Sequence, residues 1–168
     1  MQRGFIQGQS PGDPLCRWRH ASLILDVMPL DEVILGFSNR WYRKAMQSPI
    51  RVQVTTVTSI SCIDAPHFIA TKLEAFRSRG AGDYLLSSDL EDVVVVIDGR
   101  PSIDHELSCA TPDVRSFVAA ELKALLAERY FLEALPGYFA GEDQDGRRAR
   151  SLTDRLRRIA SHDAPGDM

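Results

Sequence analysis

Apolar residues recur at helical spacing in the second half of the chain and at strand spacing in the first. Pro66 suits the first turn of a helix, and Ile69, Leu73 and Phe76 follow it on one face with Phe68 alongside, until Gly80-Ala81-Gly82 breaks the run. Leu90, Val93, Val94 and Ile97 form the stripe of a second helix. Ser88 with Glu91 reads as its capping box, and Gly99 followed by Pro101 as its stop. The valines from Val93 to Val96 would also suit a strand, and the end signals decide for helix. Thr111-Pro112-Asp113 opens a long helix as cap, first-turn proline and acid matched to the helix dipole. Its stripe is Val114, Phe117, Val118, Leu122, Leu125 and Leu126, and it runs to about Leu135 before Pro136-Gly137. A polar loop from Gly141 to Gly146 precedes a last helix from Ser151, with Leu152, Leu156 and Ile159 inward. Residues after Ser161 read as disordered.

Upstream the period shortens to two. Leu15-Cys16-Arg17-Trp18-Arg19 alternates apolar and polar, and Leu23-Ile24-Leu25-Asp26-Val27-Met28 reads as a buried strand broken by one acid, so the two read as a hairpin ended by Pro29. Residues 1–14 read as a loop, with a turn at Pro11-Gly12-Asp13-Pro14. Asp31 to Phe37 suits a short helix, and a polar and aromatic stretch from Ser38 leads into a helical turn ending near Met46. Arg51 to Ile63, rich in Val, Thr and Ile, favours extended structure. Strands first and helices after predict an α+β chain, divided into a sheet region over 1–64 and a helical region over 65–168.

At 168 residues, 44% hydrophobic and 26% charged, the chain has the composition of one globular domain, with or without a small appendage. No run of about 18 uncharged apolar residues exists, so no membrane span is expected, and the N-terminus lacks a signal-peptide core. Cys16, Cys62 and Cys109 show no paired spacing, which points to reduced, buried thiols in a cytoplasmic protein. A net charge of −3 excludes whole-protein attraction to nucleic acid. The tail nevertheless concentrates Arg147, Arg148, Arg150, Arg155, Arg157 and Arg158, which make either a solvated face or a contact for a nucleic-acid backbone.

The candidate chemistry is densest between Ala65 and Pro101. Lys72 borders the apolar stripe of its helix, where it is either a snorkelling structural lysine or a point charge for phosphate. Arg77 and Arg79 either assist it or are surface charge. Asp89 and Asp92 share a face of the next helix, read as opposite the core. An ion pair from them to Lys72 or Arg79 across the helical hairpin is expected. Asp26 is the third candidate: a carboxylate in an apolar strand costs several kcal/mol unless paired or bound to metal. It is either on the exposed side of its strand or a magnesium ligand. The histidines show no triad or metal spacing, and there is no P-loop or GxGxxG pattern.

The run Thr71-Lys72-Leu73-Glu74-Ala75-Phe76, then Arg77 and Arg79, then Ser88-Asp89-Leu90-Glu91-Asp92-Val93, resembles the second half of a minimal nucleotidyltransferase of the abortive-infection (AbiEii/AbiGii toxin-like) type. Members of that group include toxins of toxin–antitoxin pairs. Leu25-Asp26-Val27-Met28-Pro29 resembles the superfamily's strand with the third metal-binding carboxylate. The resemblance covers roughly residues 15–100. It implies a small mixed sheet packed against helices, Mg²⁺ and a nucleoside triphosphate, and nucleotidyl transfer to an acceptor hydroxyl such as that of an RNA. By carry-over, Asp26 would hold metal or activate the acceptor, Lys72 would touch the triphosphate with Arg77 and Arg79 near it, and Asp89 or Asp92 would position the cations. The family's Gly-Gly or Gly-Ser turn and Asp-x-Asp strand are missing from this sequence. The resemblance therefore implies an N-terminally incomplete fold and an impaired enzyme. The alternative is a non-catalytic nucleotide- or partner-binding module. The incomplete sheet would expose an edge open to a homodimer or a partner strand.

Overall fold

A computed structural model of the chain describes residues 4–8, 12–28, 30, 33, 39–80, 82–139, 141 and 145–161. The short helix expected over Asp31–Phe37 lies outside these residues save for Val33, as do Pro29, residues 142–144 of the polar loop and the tail after Ser161. The described residues form an α+β structure with two small antiparallel sheets and seven α-helices. Strands β1 (Ile6–Gln7), β2 (Arg17–His20) and β3 (Leu23–Asp26) make one sheet in that order, and β4 (Ile50–Gln53) and β5 (Ser59–Cys62) make the other. The expected mixed sheet is thus corrected: short hairpin connections allow only antiparallel neighbours. In the first sheet Arg17 pairs with Asp26 and Trp18 with Leu25, and Ile6 of β1 stands opposite Arg19. β1 falls in a stretch expected to be loop.

The core belongs to the helices. They are α1 (Tyr42–Ala45), α2 (Ala65–Arg79), α3 (Ser88–Gly99), α4 (Ile103–Ser108), α5 (Pro112–Ala127), α6 (Arg129–Ala134) and α7 (Arg147–Ala160), with a 3₁₀ turn at Leu135–Phe139 after α6. Ile69 and Leu73 of α2, Ile97 of α3, Val114, Val118 and Leu122 of α5, and Leu152, Leu156 and Ile159 of α7 are all essentially inaccessible. The stripes read from spacing are therefore the buried faces. Trp41 joins this core on Phe117, with ring centroids 4.9 Å apart. Asn39, itself buried, anchors it by donating to the Thr71 carbonyl and accepting from the Trp41 amide. The segment just before α1 thus packs with the helical region.

Several helix ends differ from the sequence reading. Ser87, not Ser88, caps α3 by accepting from the Leu90 amide, so Glu91 lies one position too far along for a capping box. The helix from Pro112 stops at Ala127, because Glu128 is extended, and α6 and the 3₁₀ turn cover the rest of the way to Phe139. α7 begins a turn early, at Arg147, after Gly146 in the left-handed region at φ 65°. α4 was not foreseen, although Ile103 and Leu107, four residues apart, supply its buried face. The thiols also need correction: all three cysteines are free, but Cys16 alone is buried and Cys109 is exposed. Among the described residues no helix is long and apolar enough to cross a membrane.

Candidate functional site

α2 and α3 pack against each other as a helical hairpin, and their charged residues meet at one end of it. α2 starts where Asp64 accepts from the His67 amide with Pro66 in the first turn, and it ends at Gly80. Lys72 and Arg79 project from one face of α2 toward the first turn of α3. There Asp89 accepts a forked pair of bonds from Arg79, Nε to Oδ2 at 3.0 Å and Nη2 to Oδ1 at 3.1 Å. Lys72 Nζ donates to Asp89 Oδ1 at 3.4 Å and lies 2.5 Å from Asp92 Oδ2. The expected ion pairs across the hairpin are present, and both acids take part in them.

Burial separates the two acids. Asp89 is only 5% exposed, whereas the Asp92 side chain is 45% exposed. Asp89 therefore does not face away from the core, as its spacing had suggested; it sits beside Leu90 under Arg79 and Lys72. Both oxygens of this buried carboxylate receive cationic donors. Burial by itself would lower the Lys72 pKa, but the hydrogen bond and charge of Asp92, with the charge of Asp89, outweigh it and hold the pKa above the ordinary lysine value. Lys72 is accordingly a fixed ammonium and not a neutral base. Its Nζ also lies 5.6 Å from the ring centroid of Phe68, one turn back on α2.

Arg77 points elsewhere. It bonds Glu74 and Glu121 and rests 5.5 Å from the Phe117 ring, tying α2 to α5. It contributes nothing to the Lys72 group. Asp26 is likewise apart: both of its oxygens are taken by Arg17 of β2, at 2.9 Å each. This bond leads the causes that hold its carboxyl below the usual aspartate range. Arg17 also approaches Asp13, which pairs with Arg19. No hydrogen bond or ion pair joins Asp26 to Lys72, Asp89 or Asp92. Among the described residues no three His, Cys, Asp or Glu side chains are grouped so as to hold a metal ion. Asp26 and Asp89 already have both oxygens engaged by cations, so these residues do not by themselves fit a bound Mg²⁺.

Of the six arginines of α7 only Arg155 is turned inward, and the other five are exposed, as the solvated-face reading has them. Arg148 pairs with Asp98 of α3, and Arg155 with Asp104 of α4 while donating to the carbonyls of Ile97, Arg100 and Pro101. Arg157 meets Asp154, and Arg147 meets Asp145. Neither sequence reading of this cluster, as a solvated face or as a nucleic-acid contact, describes Arg155, which caps the end of another helix. The signal that could have found it is the bare C-terminus of α3, which has no basic residue in its last turn.

Comparison with protein-family models, curated proteins and solved structures finds no match to this chain.

Proposed function

We propose that this chain is a nucleotidyltransferase-like protein that binds a nucleoside triphosphate at Lys72 and Arg79 and passes its nucleotidyl group to an acceptor hydroxyl. The observation that carries the reading is the buried Asp89 holding Lys72 and Arg79 side by side toward the turn end of the α2–α3 hairpin. Such a carboxylate is a positioning residue: it fixes two cations before any ligand arrives, so little ordering remains for binding. Asp92 is the exchangeable partner. It is half-exposed, and an incoming phosphate oxygen can take its place on Lys72 while Asp89 stays. In the transfer, a bond forms between the acceptor oxygen and the α-phosphorus, the bond from that phosphorus to the bridging oxygen breaks, and pyrophosphate departs. Cations beside the phosphates neutralise the charge it carries away.

Mg²⁺ in this reading arrives with the triphosphate. Asp26 would serve as a metal or acceptor carboxylate only by releasing Arg17, and Arg77 has no part in it. The RNA acceptor and the toxin–antitoxin context rest on the resemblance, and the cytoplasmic setting on the three free cysteines. The test is incubation with Mg²⁺, α-labelled triphosphates and total RNA. Label transfer is expected, and Lys72→Ala should lower it by about 10²-fold or more, the usual cost of removing one charge-stabilising donor. Absence of any triphosphate binding by calorimetry at millimolar concentration would sink the reading.

A second reading, a partner-binding module, is favoured by β3. Among the described residues it pairs on one side only, with β2, and Leu23, Ile24, Leu25, Val27 and Met28 are all exposed. An apolar edge of this kind accepts another strand, in the first instance from a second copy. Light scattering should then show a concentration-dependent dimer that Ile24→Lys returns to monomer. A wild-type chain that stays monomeric at every concentration removes this version of the reading.

A further inference from the structure

Beside the Lys72 group lies a cavity of about 430 Å³ that shares an aromatic wall with it. It opens where the first turns of α2 and the last turns of α3 meet the base of the β4–β5 hairpin. Ile50, Ile63, Phe68, Val95 and Val96 give it an apolar lining, and Arg100 is its one charged residue. Arg100 is held to Glu106 at 2.7 Å, so that end is already neutral. The shared wall is Phe68. Its half-buried ring lines the cavity, and the Lys72 ammonium lies 5.6 Å from the ring centroid. On the facing helix, Val95 and Val96 follow Asp92 by one turn. The walls of the cavity thus continue the two helix faces that carry Lys72 and Asp92.

We infer that this cavity receives the base of the nucleoside triphosphate, with the phosphates directed to Lys72 and Arg79. The inference rests on the reading of Lys72 and Arg79 as a triphosphate site. A ligand with an anionic chain and a flat, largely apolar ring fits the juxtaposition on both counts. The anion meets two fixed cations, and the ring meets an aromatic face and aliphatic walls. The volume falls within the range of small-molecule sites, roughly 300–1,000 Å³. The lining offers few side-chain hydrogen-bonding groups, so discrimination among bases would come from stacking and from the backbone, and would be modest.

Two substitutions address the cavity without touching the cations. Phe68→Leu keeps an apolar side chain but removes the stacking face. Gly99→Leu fills space: a β-carbon on Gly99 would meet nothing within 4 Å, and leucine suits a helix better than glycine. Calorimetry on the full chain with each of the four nucleoside triphosphates and with inorganic tripolyphosphate, all with Mg²⁺, separates base from anion. At least one nucleoside triphosphate should bind roughly tenfold or more tightly than tripolyphosphate, the magnitude of one stacking contact. Both variants should erase that advantage, and Gly99→Leu, which leaves the Phe68 ring in place beside Lys72, should do so with tripolyphosphate affinity and the thermal midpoint unchanged. Tripolyphosphate binding as tightly as all four nucleotides overturns the base compartment and leaves the triphosphate reading standing. A base preference that survives both variants also overturns it, because the base then lies elsewhere. If neither nucleotide nor tripolyphosphate binds, the triphosphate reading fails and the compartment with it.

Discussion

Asp89→Ala is expected to lower the unfolding free energy by about 2–3 kcal/mol, while Asp92→Ala costs under about 1 kcal/mol, although both acids touch Lys72. The asymmetry follows from burial and from what each removal leaves behind. Asp89 is 5% exposed and bonds both Lys72 and Arg79. Taking it away leaves two cations beside a void and withdraws an acid from the first turn of α3, where the helix dipole favours one. The loss should fall short of that for a fully buried ion pair, because the Arg79 side chain is 60% exposed and can turn to water. Asp92 is a solvent-side partner, and its loss leaves Lys72 still bound to Asp89. Urea denaturation of the two variants and of Asp89→Asn measures this directly. Asn retains one acceptor and should lie between wild type and Ala. Equal destabilisation by Asp89→Ala and Asp92→Ala would contradict the division into an anchor and an exchangeable partner. The prediction is independent of catalysis, so it holds whether or not label is ever transferred.

The same cluster shows what could be read from sequence. Lys72, Asp89 and Asp92 were legible because helix periodicity places each on a definite face, and opposite charges on adjoining helices have few other partners. Arg79, seven residues after Lys72 and on its face, was expected with it as a partner for these acids, and the structure brings it to Asp89. Arg77, about 200° away on the helix, meets Glu121 on α5. Asp26 lies on an exposed strand, as the first of its two readings has it, and it is also paired. The partner is Arg17 on the adjacent strand, which the hairpin register puts directly opposite. Asp89 was misjudged because its own helix supplies a polar face, while its burial comes from α2 lying over it.

The helices were legible where an apolar stripe was long and its end residues were specific, as in α2 and α3. They were less so where a helix was short or ended without a break signal. The extended backbone at Glu128 has no glycine or proline to announce it, and α4 has only six residues. The apolar β3 edge was legible as a strand. Its expected burial is corrected, since all four of its residues are exposed: an apolar run identifies a strand without showing what covers it.

Arg155→Ala is expected to destabilise the fold by about 3 kcal/mol, more than any other single arginine of α7, because this side chain joins three helices by charge-assisted bonds. Its guanidinium is 15% exposed and donates to Asp104 Oδ2 at 2.6 Å, to the Ile97 carbonyl at 2.7 Å, and to the Arg100 and Pro101 carbonyls at 2.9 and 2.8 Å. Ile97 lies in the last turn of α3, where carbonyls lack helical partners and the dipole favours a cation. α3 supplies no basic residue of its own there, and α7 provides one from a distant part of the chain. Lysine should not rescue the loss, since its single ammonium cannot span Asp104 and three carbonyls held by a planar fork. Arg155→Met keeps the packing of the stem and isolates the polar contribution. Arg157→Ala, which removes only an exposed pair with Asp154, should change stability by under about 0.5 kcal/mol. Hydrogen exchange sharpens the test: in Arg155→Ala the amides at the end of α3 and in α4 should lose protection before those of α2. Uniform loss across all helices would show that Arg155 acts only through global stability, and an Arg157→Ala effect as large as that of Arg155→Ala would remove its special place in the fold.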